Sequence, residues 1–210
     1  MGYKNFKTIK DLNVKGRTVL LWADLNSEIK NNKPSNSERI KQHSKTISFL
    51  KKNKAKVIVI SHQSRPGKKD FTSLKKHSSL VNNLTKIKFV EDIIGKKSEQ
   101  AIKDLKDGEA ILLENIRYLK DEYKLKGKNK IVNFFKDKID IYINDAFSMC
   151  HRDEASLTLI PKKIRIKAIG PVLEKELKNA EKIKSKVNNS LFILGGNKVA
   201  DIKLLLNKKN

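Results

Sequence analysis

The chain has 210 residues, 38% of them hydrophobic, and a formal net charge of +24 at neutral pH. Regular apolar runs at this composition indicate a folded protein, and none of the runs approaches the ~18 residues that a membrane span requires. The positive charge is spread over dispersed lysines, which favours a solvated, lysine-rich surface over a nucleic-acid-binding protein. The single cysteine, Cys150, excludes an internal disulfide, and the absence of an apolar signal core near the N-terminus predicts a cytoplasmic protein.

A polar lead-in of 17 residues precedes the first of several short, apolar, mostly β-branched runs. Such runs predict strands that are buried on both faces of a parallel sheet. The predicted strands lie at residues 18–23, 56–61, 86–90, 110–113 and 139–143.

Helical patterns separate these strands. Ser35 or Ser37 can cap a helix that carries Arg39 in its first turns and directs Ile40, Ile47 and Leu50 inward. Residues 119–130, rich in Lys and Glu, predict a solvated loop. Alternating strands and helices predict an α/β fold with a doubly wound parallel sheet of Rossmann-like type. The remaining helices of this part are predicted at residues 71–85, 99–106 and 130–136.

Polar side chains follow four of the predicted strands at the point where each strand ends. Ligands of open parallel sheets bind beyond the carboxyl ends of the strands, so these side chains predict one shared site. In chain order they are Asp24 and Asn26, then His62 and Arg65, then Glu114, Asn115 and Arg117, and finally Asn144, Asp145, His151 and Arg152.

Arginine usage indicates which kind of ligand this site takes. Only six of the 47 basic residues are arginines, and three of them, Arg65, Arg117 and Arg152, fall just beyond apolar runs. Arginine grips a phosphate or carboxylate with two parallel hydrogen bonds, which lysine cannot copy. The pattern therefore predicts an anion site, with structural ion pairs as the alternative for each single arginine.

Beyond Ser156 the sequence pattern differs from the alternating strands and helices that precede it. Apolar residues at helical spacing predict a long helix, and a strand at 191–194 then runs into Gly195, Gly196 and Lys198. Glycines at a strand-to-helix turn let backbone amides approach a phosphate, although an ordinary tight turn has the same pattern. The apolar residues of the helix are Leu173, Leu177, Ala180, Ile183 and Val187.

Together these segments resemble the phosphoglycerate kinase family, in its archaeal form. The resemblance rests on Asp24-Leu25-Asn26-Ser27, on 61–66 (Ser-His-Gln-Ser-Arg-Pro), on 113–118 and on 144–152, which occur in the family's order. It covers the chain from about Thr18 to its last residues.

The resemblance implies reversible phosphoryl transfer between 1,3-bisphosphoglycerate and ADP, as in glycolysis, with this chain carrying the 3-phosphoglycerate side. His62, Arg65, Arg117 and Arg152 would hold the non-transferred 3-phosphate. Asp24 and Asn26 would contact the hydroxyl and carboxylate end of the substrate. Arg39 and Lys198 would have the catalytic role of neutralising the moving phosphoryl group.

The resemblance also implies a domain organisation. Residues 1–170 would form the 3-phosphoglycerate-binding domain, 171–189 an interdomain helix, and 190–210 the incomplete start of a nucleotide-binding domain. Gly195, Gly196 and Lys198 would bind the phosphates of ATP or ADP with Mg²⁺, and no metal ligand is expected in the chain itself. The rest of the nucleotide domain would be a possible separate partner.

Some positions depart from the family pattern. Trp22 stands where the family usually has arginine, Glu28 replaces a proline, and Ile202 replaces a second lysine. Two alternatives to the enzyme itself stay open: a noncatalytic phosphometabolite-binding module, and one half of a split enzyme. A third alternative, a basic nucleic-acid-binding protein, has only the positive charge in its favour.

Overall fold

The computed structural model describes residues 5–185. Its centre is a sheet of six parallel strands, and a small antiparallel hairpin lies beside it. The strands in chain order are β1 (Thr18–Trp22), β2 (Ile29–Lys30), β3 (Lys33–Pro34), β4 (Lys56–Ile60), β5 (Lys88–Val90), β6 (Ala110–Leu113), β7 (Ile141–Asn144) and β8 (Ile166–Ile169).

Seven α-helices connect and cover these strands in the described part of the chain. They are α1 (Glu38–Lys52), α2 (Lys75–Asn82), α3 (Lys96–Lys103), α4 (Lys130–Phe135), α5 (Ala155–Thr158), α6 (Ile160–Lys163) and α7 (Pro171–Ser185). None of the described helices is long and apolar enough to cross a membrane.

The sheet has a hydrophobic core on each face. Alternate residues of a strand point to opposite faces, so Leu21 of β1 contributes to one core and Leu20 to the other. Helix α1 covers the first core with Ile47, and helix α4 covers the second with Phe135. Helices on both faces of a parallel sheet make a doubly wound α/β fold, which confirms the predicted fold class.

The strand order is β5-β6-β4-β1-β7-β8. From β1 the chain crosses to β4 on one side, whereas from β7 it crosses to β8 on the other. The loops that follow β1 and β7 therefore diverge, and they leave a crevice at the carboxyl edge of the sheet. Such a switch point is where open α/β sheets bind ligands.

Helix α1 has the predicted start and the predicted buried face. The Ser37 hydroxyl accepts a hydrogen bond from the Ile40 amide, so Ser37 is the cap, and Ile40, Ile47 and Leu50 are fully buried. The cap places Arg39 in the first turn, directly behind the end of β1.

Two predicted helices have wrong boundaries, because hydrogen bonds to a carboxylate outside each helix set where it starts. The Leu74 amide donates to Glu114 Oε1 at 2.8 Å, so α2 begins only at Lys75 and not at residue 71. The Asp92 carboxylate accepts from the amides of Gly95 and Ser98, so α3 begins at Lys96 and not at residue 99.

Two segments that the sequence predicts to be polar or solvated are partly buried. The lead-in buries Ile9 and Val14 against the sheet. Residues 119–130 include a 3-10 helix, Lys120–Tyr123, whose Glu122 is fully buried, and Asn129 caps α4 by accepting from the Val132 amide. The prediction of a solvated loop at 119–130 therefore holds for residues 123–128, which are exposed, and is wrong for Glu122 and Asn129.

Strand β8 and helices α5 and α6 are not predicted from the sequence. The long predicted helix is α7, in which Leu173 is buried while Ile183 is 57% exposed. Val187, the predicted strand at 191–194, Gly195, Gly196, Lys198 and Ile202 lie outside the described residues.

The buried carboxylate of Asp145 fixes the start of α7. One of its oxygens accepts from the amides of Val172 and Leu173, and the other accepts from Thr46 at 2.7 Å and lies 3.0 Å from His43 Nδ1. Asp145 therefore joins α7 to α1 across the end of β7.

Gly170 must lack a side chain because Asp145 lies so close. A Cβ atom at residue 170 would fall 2.2 Å from Asp145 Oδ1, and four hydrogen bonds hold that carboxylate in place. We expect Gly170→Ala to lower the free energy of unfolding by about 1–3 kcal/mol, as overpacking does elsewhere. Urea denaturation measures this loss.

The matched control is Gly127→Asn. Gly127 has a positive φ of 74°, which asparagine tolerates, and nothing lies within 4 Å of a Cβ there. An equal loss of stability in both variants would show that Asp145 does not constrain residue 170.

Candidate functional site

The predicted site residues that the structure describes lie at the carboxyl edge of the sheet, beyond β1, β4, β6 and β7. Asp24 and Arg39 form one of its contacts, with Arg39 Nη1 3.1 Å from Asp24 Oδ2. Asp24 is almost fully buried, and the Ser148 hydroxyl donates to the same carboxylate oxygen. Because Asp24 is held in place, it orients the half-exposed Arg39 toward the crevice.

Asn26 links the loop after β1 to the loop after β4. Its backbone oxygen accepts from Arg39 Nη1 at 3.1 Å, and its side-chain oxygen accepts from the Ser64 amide at 2.9 Å. Ser64 has a positive φ of 57°, an uncommon conformation for serine, and the Asn26 bond stabilises it.

Gln63 joins the same two loops through a second set of hydrogen bonds. Its amide exchanges two hydrogen bonds of 3.0 Å with the Ser27 backbone, and its Oε1 also lies 2.9 Å from His77 Nε2. Asn115, after β6, donates to the Gln63 carbonyl oxygen at 3.0 Å. Buried and satisfied polar groups of this kind hold a loop in one conformation.

Arg117 is engaged within the protein. Its Nη2 donates to Glu154 Oε1 at 2.6 Å, and its Nη1 donates to the Ser64 carbonyl oxygen at 2.6 Å. Both charged side chains are less than a tenth exposed. Arg117 is thus part of a structural ion pair, the alternative that the sequence left open, and it also brings a fixed positive charge to the site.

His62 lies where the charged groups meet. Its ring contacts Trp22, with ring centroids 5.6 Å apart, and its Nδ1 is buried without a hydrogen-bond partner among the described residues. Burial lowers the pKa of His62 to about 3, with a further decrease from the charge of Arg117. His62 is therefore neutral at physiological pH and can donate one hydrogen bond without carrying charge.

The structure brings several of the predicted residues together around His62. Asp24, Arg39, Arg117 and Arg152 all lie close enough to His62 to act on its pKa. Arg65 and Arg152 are exposed, and among residues 5–185 neither makes an ion pair. Their guanidinium groups are available to a ligand.

Sequence reasoning missed a buried network behind His62. The indole nitrogen of Trp22 donates to Ser156 Oγ at 2.8 Å, and the Ser156 hydroxyl donates to Glu122 Oε1 at 2.5 Å. The Ser156 amide also donates to Glu122, and Tyr142 donates to the Ser156 carbonyl oxygen. No local pattern marks these residues, because Glu122 and Ser156 lie 34 positions apart.

Burial raises the pKa of Glu122 to about 8, and the neighbouring charge of Glu154 also raises it. Glu122 is therefore mostly protonated at neutral pH.

Within the described residues, no group of three or more His, Cys, Asp or Glu side chains is placed to hold a metal ion.

Glu122 should make stability depend on pH. Its pKa is about 8 in the folded protein against an ordinary 4.5, so the folded state binds more protons between these values and loses stability as pH rises through them. Glu122→Gln mimics the protonated acid. We expect the variant to resemble the wild type at pH 5 and to exceed it in urea midpoint at pH 9.

Glu109→Gln, at an exposed carboxylate, is the control, and its midpoint should follow the wild type across the range. If Glu122→Gln and the wild type lose stability in parallel from pH 5 to pH 9, Glu122 is ionised in the folded protein.

Comparisons with known proteins agree with this geometry. A sequence model of the family described as phosphoglycerate kinase matches residues 9–208. The phosphoglycerate kinase of Sulfurisphaera tokodaii is 39% identical over 94% of this chain and 50% of its own length. That of Sulfolobus acidocaldarius is 40% identical over 92% of this chain and 49% of its own length.

Solved structures give the same result. The crystal structure of phosphoglycerate kinase from Pyrococcus horikoshii matches with a TM-score of 0.82 and 30% identity, over 96% of this chain and 53% of that one. The chain spans about half the length of the curated relatives that it matches. Family match, sequence identity and fold agree, and the chain belongs to the phosphoglycerate kinase family.

Proposed function

We propose that this chain binds 3-phosphoglycerate or 1,3-bisphosphoglycerate and provides the substrate half of a phosphoglycerate kinase. The whole reaction would be reversible phosphoryl transfer between 1,3-bisphosphoglycerate and ADP. The observation that carries the proposal is the meeting of Arg39, Arg117 and Arg152 around the neutral His62 at the carboxyl edge of the sheet.

The substrate phosphate would be held by two kinds of cation. Arg117 is fixed by Glu154, so it contributes charge from a constant position and has few donors left for a ligand. Arg65 and Arg152 are exposed and can close on a phosphate with two hydrogen bonds each. His62 would add a neutral N–H donor between them.

The other end of the substrate would lie near β1. Asp24 and Asn26 would contact its hydroxyl and carboxylate, and Asp24 orients Arg39 toward the crevice. We propose that Arg39 and Lys198 are the catalytic residues, which neutralise charge on the phosphoryl group as it moves. Positioning and charge neutralisation supply most of the rate in such transfers.

The nucleotide side is proposed from the sequence. Residues 1–170 would be the substrate domain, 171–189 the interdomain helix, and 190–210 the start of the nucleotide domain. Gly195, Gly196 and Lys198 would bind nucleotide phosphates, and ATP or ADP with Mg²⁺ would supply or accept the phosphoryl group.

Arg65 provides the direct test of substrate binding. It is exposed and has no ion-pair partner among residues 5–185, so its replacement should leave the fold unchanged. We expect Arg65→Ala to weaken 3-phosphoglycerate binding by about 1.5–3 kcal/mol, through loss of a charge-assisted pair of hydrogen bonds. Isothermal titration calorimetry measures this difference.

Lys126→Ala removes one exposed cation elsewhere and should bind like the wild type. Arg65→Lys should recover only part of the loss, because lysine cannot form two parallel hydrogen bonds. Equal affinities for the wild type and Arg65→Ala would remove Arg65 from the site.

Turnover provides a separate test. The 210-residue polypeptide should bind 3-phosphoglycerate yet transfer no phosphate at kinase rates, because the donor and acceptor must be held in line within about 3–3.5 Å. Adding the carboxyl-terminal half of an archaeal relative, fused or as a second chain, should restore turnover. A coupled assay with ATP, Mg²⁺ and 3-phosphoglycerate measures it, and rapid turnover by the 210 residues alone would contradict the proposed division.

A further inference from the structure

A second basic feature lies at the opposite edge of the sheet, at the amino ends of β1, β7 and β8. It is a groove with a volume of about 860 Å³. Six of the ten described residues that line it are cationic, and one is acidic. The cations are Lys7, Arg17, Lys136, Lys163, Arg165 and Lys167, and the acid is Asp140.

The charge balance of this groove differs from that of four other clefts in the described part of the chain. The cleft beside Arg39 and Phe147, for example, is lined by one cation and three carboxylates. The lysine-rich composition therefore does not make every concave surface basic. Three isoleucines line the groove, and low-dielectric walls focus the field of the surrounding cations.

The position of the arginines indicates that the charge of this groove is more than a result of the lysine-rich composition. Four of the six arginines in the chain are the predicted ligands of the carboxyl edge, and the other two, Arg17 and Arg165, both line the groove. In this chain, every arginine thus lies at one of the two edges of the sheet. Arginine is the side chain that suits bidentate binding of phosphate.

Local structure explains why some of the six cations lie in the groove. Lys136 and Lys163 lie at the C-terminal ends of α4 and α6, where cations offset the helix dipole. Arg165 and Lys167 lie on or next to strand β8, so this explanation does not apply to them. Arg17 is 3.7 Å from Asp140, a loose ion pair that is half exposed and leaves most of its donors free.

We propose that this groove binds the phosphodiester backbone of single-stranded nucleic acid, without reading its sequence. Five units of net positive charge around one groove exceed what a single phosphate neutralises, so the ligand carries several phosphates. The surface is concave, which suits a flexible strand and does not suit insertion into a duplex groove. Among the described residues that line it, none is aromatic, so base stacking contributes nothing there.

The groove is separate from the proposed substrate site. Arg17 immediately precedes β1 and Asp24 follows it, so at least the five residues of the strand, about 16 Å, lie between the two edges. Both sites can then be occupied at once.

The test uses the 210-residue chain and a fluorescein-labelled 15-nucleotide RNA of mixed sequence, with fluorescence anisotropy measured at several salt concentrations. The variant is Lys163→Gln, Arg165→Gln and Lys167→Gln together, which removes three exposed cations of the groove. We expect affinity to fall about tenfold, and the slope of log affinity against log salt to decrease by about 2 for three lost phosphate contacts.

The control replaces three exposed lysines outside the groove, Lys97, Lys103 and Lys126, with glutamine, so the net charge changes equally. Its affinity should stay within about twofold of the wild type. An equal loss in both triple variants would overturn the proposal, since binding would then depend on total charge. Thermal unfolding of both variants verifies that they are folded.

Two further measurements test which kind of nucleic acid binds and at which edge of the sheet it binds. Tighter binding of duplex DNA than of RNA would overturn the assignment to a single strand. Displacement of RNA by excess 3-phosphoglycerate would put the nucleic acid at the carboxyl edge and likewise overturn the proposal, whereas unchanged affinity supports a separate groove. No detectable RNA binding at low salt would also reject it.

Discussion

The buried ion pair between Arg117 and Glu154 holds the candidate site together. It ties the turn after β6 to the start of α5, and through the Ser64 carbonyl oxygen it also fixes the loop after β4. Removing both charges from water costs several kcal/mol per ion, and close geometry offsets that cost only while both partners are present. Loss of either one leaves an uncompensated buried charge, at about 3–5 kcal/mol. Arg117 is for this reason held in one position, beside the more exposed arginines of the site.

Burial keeps two titratable groups next to this pair uncharged. The pKa of His62 is lowered to about 3 and that of Glu122 is raised to about 8, so at neutral pH neither adds a full charge to the site. The potential at the crevice then comes from guanidinium groups, which keep their charge over the whole physiological range. His62 and His77, whose pKa is lowered to about 4, have the opposite linkage to Glu122: the fold loses stability as pH falls from 6.5 through their folded pKa values.

The sequence predicts what depends on local pattern, and fails where a distant side chain decides. The run Ala110–Leu113 has the bounds of β6, because a buried parallel strand is uniformly apolar. Ser37 is the cap and Arg39 lies in the first turn of α1, since both follow from spacing along one helix. The start of α2 depends on Glu114, 40 residues away, whose contact no periodicity shows. The start of α3 depends on the local carboxylate of Asp92, a signal that lies within reach of the sequence. Glu122 and Glu154 are likewise not predicted, because their partners lie in other loops and no local pattern marks them. The binding roles of the arginines stay predictions.

Trp22 connects the family pattern with the buried network. Where the family usually has arginine, this chain has an indole that donates one hydrogen bond to Ser156 and packs against His62. An arginine at position 22 would bring a cation toward the Ser156–Glu122 pair, and a positive charge nearby lowers the pKa of a carboxyl group. It would also add a charge beside His62 and disfavour protonation of that ring further. Tryptophan instead adds no charge there, and burial raises the pKa of Glu122 to about 8 although the hydrogen bonds from Ser156 lower it. Trp22 therefore places an uncharged side chain between His62 and the Ser156–Glu122 pair, where burial keeps both titratable groups neutral.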